Sequence, residues 1–223
     1  MIIVHHLNNS RSQRILWMLE ELELPYEIKF YERDRATMLA PPQLRLVHPL
    51  GKSPVIVDGS ETTAESGAII EYLLRKYGQG RLMPPISSPE YTKMIYWLHY
   101  AEGSLMLPLL LTLIFTKIPK QPMPFFAKPF AEKISEQILK GFVTPQVRSH
   151  IIYCEEELKK SEWFAGNEIS AADIQMSFPI EAAHARGAID ARQPKLLNYL
   201  TRIQQRPAYQ RALARGGPYD LLS

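Results

Sequence analysis

At 223 residues the chain is long enough for one large or two modest domains, and its 46% apolar and 22% charged residues are ordinary for a globular protein. The 26 basic against 23 acidic residues leave a net charge of only +3, with no compact run of Lys and Arg, which argues against a nucleic-acid-binding role. Cys154 is the only cysteine, which excludes an intramolecular disulfide and any multi-cysteine metal site and fits a reducing compartment.

The first residues, MIIVHHL, have no basic region ahead of a long apolar core, so the expectation is a cytoplasmic protein without a secretory signal. Ile2 to Leu7 reads as a buried strand. His5 and His6 read as strand-end histidines with local partners, since no third metal ligand lies nearby in the chain. Arg11 to Leu24 places Ile15, Leu16, Leu19 and Leu22 at helical spacing, and Pro25 stops the helix. Tyr26 to Tyr31 is a second strand, completing a β-α-β unit. Asn8, Asn9, Ser10 and Ser12 crowd hydrogen-bonding groups at the helix start, where unpaired N–H groups and a positive dipole end suit an anion. Glu32 to Leu46, broken by Pro41-Pro42, reads as a loop with a short helix. Pro54 to Val57 is a strand, Asp58-Gly59 a two-residue hairpin turn, and Ser60 to Thr63 the returning strand. The Ser53–Pro54 bond is a candidate for the cis form. A helix from Ser66 to Tyr77 carries Ile69, Ile70, Leu73 and Leu74 on one face.

Residues 78–89 read as a linker, and beyond them no strand pattern returns. Glu90 to Phe115 is a long helix with a kink at Pro108. Its most apolar part, Ser104 to Phe115, is too short to span a bilayer, so no membrane partner is expected. Lys117 to Pro124 is a proline-rich loop, and Phe125 to Lys160 another long helix, kinked at Pro145. Ser170-x-x-Asp173 has the form of a capping box, with Ile169 and Ile174 at the positions of a hydrophobic staple, so a buried helix begins at Ala171. Residues 194–214 supply one or two closing helices. The fold class is α+β: a small α/β domain at 1–80, a linker at 81–89 and an all-helical bundle at 90–223.

Four pieces in this order resemble the cytosolic glutathione S-transferases of bacterial type: Ser10-x-x-x-Arg14 after the first strand, Ser53-Pro54-Val55, Glu65-Ser66 and the Ser170–Asp173 box. The resemblance covers nearly the whole chain. It implies a thioredoxin-like N-terminal domain, a cis bond before Pro54, a homodimer with one site per subunit, glutathione as co-substrate, and no metal. The chemistry implied is conjugation of glutathione to small apolar electrophiles, as in detoxification. Peroxide reduction or dehalogenation would use the same thiolate, and a non-catalytic binding or regulatory protein is the alternative of another class. Thiol reductases of this family place cysteine where Ser10 stands, which disfavours that activity.

A free thiol has a pKa of about 8.5, and lowering it by about two units requires about 2.7 kcal/mol of preference for the anion. One hydrogen bond to a charged group supplies about 1.5–3 kcal/mol. Ser10 is therefore the candidate donor to sulfur, with Asn9 and Ser12 as competitors, although Ser10-x-x-Gln13 is also a capping-box pattern that would make Ser10 a simple helix cap. The resemblance further implies that Arg11 lines the pocket and that the main chain at Ser53, before Pro54, pairs with the cysteine of glutathione. Lys52 meets the glycine carboxylate, Glu65 the γ-glutamyl ammonium and Ser66 its carboxylate. Leu50-Gly51 departs from classes that carry Gln or His there. The electrophile pocket is expected between the domains, against Met106, Leu107, Leu110, Leu111, Phe115 and Tyr219.

Overall fold

The computed structural model describes residues 1–34, 37–217 and 219. Strand β1 (Ile2–Leu7) is followed by helix α1 (Ser12–Glu21) and strand β2 (Tyr26–Tyr31). Strands β3 (Val55–Asp58) and β4 (Glu61–Ala64) and helix α2 (Ser66–Leu73) complete the α/β part. The sheet order is β2-β1-β3-β4, with β1 parallel to β2 and antiparallel to β3. A parallel pair needs a crossover, and α1 supplies it. Ser12 to Glu20 of α1 are all buried, because the sheet side covers one face of the helix and helices of the second half cover the other.

The hairpin sits one residue later than its sequence suggests. Asp58 pairs with Glu61, so the two-residue turn is Gly59-Ser60, and Gly59 takes the positive φ (63°) at its first position. The Ser53–Pro54 peptide is cis, and Pro54, which has no ladder donor, lies just outside β3.

The helical part comprises α3 (Pro89–Tyr100), α4 (Met106–Lys117), α5 (Lys128–Ile138), α6 (Thr144–Lys160), α7 (Ala171–Ala185), α8 (Pro194–Gln204) and α9 (Pro207–Gly216). Pro108 and Pro145 disturb their helices upstream of themselves. A π-helical segment, Ala101–Leu105, joins α3 to α4, and another, Leu139–Val143, joins α5 to α6. A proline clashes with the carbonyl four residues before it, and positions 104 and 141 both fall inside these wider turns. The first helix therefore runs unbroken for 32 residues from Pro89 to Lys120 and is, by length and composition, long and apolar enough to cross a membrane, which Ser104 to Phe115 alone is not. Trp97, Leu98, Leu105 and Leu109 of that helix nevertheless lie in the core of this chain.

Helix α7 is buried from Ala171 to Ala183, its polar Asp173, Gln175, Ser177 and Glu181 included. Its capping box is formed: Ser170 Oγ accepts from Ala172 N, and Asp173 accepts from Ser170 N (2.9 Å) and Phe164 N (3.0 Å). Ile169 and Ile174 join the same core. At the end of α9, Gly216 approaches α1 so closely that a Cβ would stand 2.6 Å from Gln13 Oε1 and 2.9 Å from Leu16 Cδ1. Gly216→Ala is expected to cost about 1–3 kcal/mol by overpacking, read as a lowered urea midpoint with an unchanged m-value.

Candidate active site

The turn between β1 and α1 gathers a closed set of hydroxyls. Ser10 Oγ lies 2.7 Å from Ser12 Oγ and accepts the backbone N–H of Ser12 (3.2 Å). Ser12 Oγ also meets His6 Nδ1 (2.9 Å), donates to or accepts from Leu7 O and N (3.3 Å each), and is fully buried. Ser12 thus has its directions filled within the protein. The Ser10–Gln13 capping box does not form. The cap position falls on Arg11, which has helical dihedrals, so Ser10 stands one residue too early, and the Gln13 side chain faces Gly216 with Nε2 unpartnered. Asn9 is half-buried at a positive φ of 49°. Burial holds the His6 imidazole down to about 4, outweighing the opposing effect of the Gly216 backbone.

A second cluster ties this turn to the rest of the site. Arg14, fully buried, donates from Nη1 to the carbonyl of Gln175 (2.6 Å) and from Nη2 to Ser66 Oγ (2.7 Å) and the Glu102 carboxylate. Arg11 donates from Nε to the same carboxylate at 2.9 and 3.0 Å, and both guanidinium groups lie over the Phe178 ring at 5.5 and 5.6 Å. Burial pushes Glu102 upward, but Arg14 and Arg11 outweigh it and hold it below the usual carboxylate value. Ser53 Oγ donates to His5 O (2.8 Å) and accepts from Leu7 N, so the Ser53–Pro54 loop is fastened to the end of β1. The structure thus brings Ser10, Arg11, Ser53, Pro54 and Ser66 around one turn. Lys52 is exposed beside Ser53. Glu65 is exposed at the cap of α2, held at φ 69° with no side-chain cap bond. That conformation is costly for a residue with a Cβ, by about 1–3 kcal/mol, and such strain concentrates at ligand sites.

The apolar wall is less uniform than its sequence suggests. Met106, one turn after Glu102, is buried. Leu107 (58% exposed) and Leu110 (44%) face outward with Ile114 at helical spacing, and Leu111 and Phe115 are half-buried. Phe115 instead lines a cavity of about 850 Å³ with Ser135, Leu139, Arg148 and Ile152 of α5, α6 and the segment between them, away from Ser10. Tyr219 packs against the core and donates to Glu181 Oε2 (2.9 Å), while Tyr209 donates to Oε1. Burial pushes Glu181 up to about 7. Among the described residues no group of three His, Cys, Asp or Glu could hold a metal.

Sequence reasoning gave no site role to Arg14, His6, Gln175 or Phe178. The one available signal was a charged residue, Arg14, on the wholly apolar stretch that follows it. Comparison with known proteins bears on all of this. The family models described as glutathione S-transferase, N-terminal domain and C-terminal domain match residues 10–76 and 116–207. The chain is 38% identical over 208 residues to glutathione S-transferase 3 of Schizosaccharomyces pombe, covering 93% of this chain and 85% of that protein. It is 35% identical over 216 residues to glutathione S-transferase 1 of Saccharomyces cerevisiae, covering 93% and 92%. A crystal structure of a glutathione S-transferase from Actinobacillus pleuropneumoniae superposes with a TM-score of 0.82 at 32% identity, over 100% of this chain and 96% of that one.

Proposed function

The chain belongs to the cytosolic glutathione S-transferase family, with a thioredoxin-like domain followed by a helical one, and from that premise we propose that Ser10 is the residue that activates the glutathione thiol. The observation that carries the reading is the contrast between two hydroxyls two residues apart. Ser12 is filled by His6, Leu7 and Ser10, whereas Ser10 Oγ, at the start of α1, has among the described residues only the hydroxyl and backbone of Ser12 as hydrogen-bond partners. A hydroxyl there adds a directed hydrogen bond to the field of the helix terminus.

In this reading Asn9, Arg11, Lys52, Ser53, Pro54, Glu65 and Ser66 hold the tripeptide, and residues 1–80 form the domain that carries it. The helical domain, 90–223, offers an apolar wall to the electrophile, with Met106 nearest the turn and Leu107, Leu110, Leu111, Phe115 and Tyr219 beyond it. The molecule works as a homodimer in the cytoplasm, conjugating small electrophiles. The bonds from Leu7 to Ser53 and from Arg14 to Ser66 support a single tripeptide site, because they fasten both loops to the turn that bears Ser10.

Ser10→Ala tests the assignment. The pKa of the bound thiol is expected to rise by about one to two units and kcat/KM with an aryl halide to fall about 10- to 100-fold. Retention on glutathione-agarose should stay as in the unaltered protein. A thiolate titration that does not move would transfer the role to Asn9.

A further inference from the structure

We propose that the tip of the helical half, from Lys117 to Ile134, is a docking surface for an anionic lipid bilayer, on which the chain rests without spanning it.

The apolar part of that surface is a strip that the described residues leave open. Phe125 is 89% exposed, Phe126 65%, Phe130 70% and Ile134 56%. Phe125 and Phe126 stand edge to face at 5.8 Å in the turn that leads into α5, and Phe130 and Ile134 follow at four-residue spacing along one side of the helix. Exposed apolar strips of this kind mark interaction surfaces. The other side of α5 is engaged inward: Glu132, Ser135, Glu136 and Leu139 line the cavity shared with α4 and α6. At 3.6 residues per turn these four stand across the helix from Phe130 and Ile134.

Charge decides what the strip faces. Residues 103–147 carry five Lys, two Glu and no Arg or Asp, while the rest of the chain is balanced, so the whole net charge of +3 resides in this segment. Both Glu lie on the cavity side of α5, which leaves the outward side with positive charge alone. Lys117, Lys120, Lys128 and Lys133 are exposed, and among the described residues none of them pairs with a carboxylate. A protein-binding patch is rich in Tyr, Trp and Arg and poor in Lys. This segment has no Tyr, Trp or Arg. Phenylalanines set among lysines suit the boundary between anionic headgroups and acyl chains, where the rings enter the apolar layer and the ammonium groups stay with the phosphates. Such a contact needs no spanning helix, so the shortness of Ser104 to Phe115 does not bear on it. Docking uses none of the glutathione-site residues and stands apart from the reading of Ser10.

The test is sedimentation of the full-length protein with large vesicles of phosphatidylcholine, made with and without phosphatidylglycerol. Binding is expected to the anionic vesicles, to weaken as salt screens the lysines, and to be at least about 10-fold weaker to phosphatidylcholine alone. Phe126→Ser combined with Phe130→Ser should weaken it about 10- to 100-fold. Lys120→Gln combined with Lys128→Gln should weaken it about 30-fold, at about fivefold for each lysine. All four side chains are exposed, so the urea midpoint, retention on glutathione-agarose and turnover of an aryl halide should match the unaltered protein. No binding to anionic vesicles, equal binding to both lipids, or binding that neither pair of substitutions moves would overturn the proposal. Light scattering tests a second copy as the occupant: a dimer that separates into monomers on Phe126→Ser with Phe130→Ser would assign the strip to a partner subunit and overturn the proposal too.

Discussion

Arg14→Met is expected to lower folding stability by about 3–5 kcal/mol, the range found when one partner of a buried, hydrogen-bonded charge is removed. The reason lies in a proline on another helix. Pro179 sits inside α7 and has no N–H, so the carbonyl of Gln175, four residues earlier, lacks its helical donor. Arg14 Nη1 fills that vacancy at 2.6 Å and so repairs α7 from the other half of the molecule. Its loss leaves a buried carbonyl and a half-buried Glu102 with fewer donors, and frees Ser66. Arg14→Lys should recover only part of the loss, because a point charge cannot serve three acceptors spread around a planar fork. Pro179→Ala in the Arg14→Met background gives Gln175 a donor again. A double-mutant cycle of urea midpoints should therefore show about 1 kcal/mol of coupling between residues 14 and 179. Simple additivity would mean that Arg14 acts through its charge alone.

Asp173→Ala should be nearly as damaging, at about 3–5 kcal/mol by denaturant titration. It strands two buried N–H groups, those of Phe164 and Ser170, each worth about 1–3 kcal/mol when unsatisfied. Ser170→Ala removes a side-chain cap while leaving the Asp173 bonds to both N–H groups, and should cost only about 1 kcal/mol. A large difference between the two would identify the carboxylate's span from Phe164 to Ser170, rather than the helix cap, as the source of stability. Burial pushes Asp173 up to about 6, above its unfolded value, so the folded state binds the extra proton. Its contribution to stability is full below the unfolded pKa and declines as pH rises through about 6.

What could be read in the sequence was local. Alternating and helical periods in Ile2–Tyr31 and Pro54–Tyr77, the Ser170–Asp173 box and the Ser53–Pro54 pair each lie within a few residues, and apart from the hairpin, whose turn sits one residue later, each took the form its chemistry suggests. What could not be read was contact between distant residues. Arg14 meets positions 66, 102 and 175, and nothing in its own neighbourhood names them. Glu102 is clasped by Arg11 and Arg14, which lie far from it in the chain. Ser10 and Ser12 carry the same side chain two residues apart and are both buried, and only their hydrogen-bond partners separate them. The helical spacing of Leu107 and Leu110 suggested a wall but could not tell which side of α4 faces inward, because the π-helical turn before it resets the phase.

Helix α1 is fastened at both ends to the helical half: Arg14 to Gln175 and Glu102 near its start, and Glu20 to Arg211 and Arg215 and Glu21 to Arg206 near its finish. A rod pinned at two points cannot pivot about either. The turn that bears Ser10, at the start of that rod, therefore keeps its place against the helical half, in contrast to enzymes whose domains swing about a hinge.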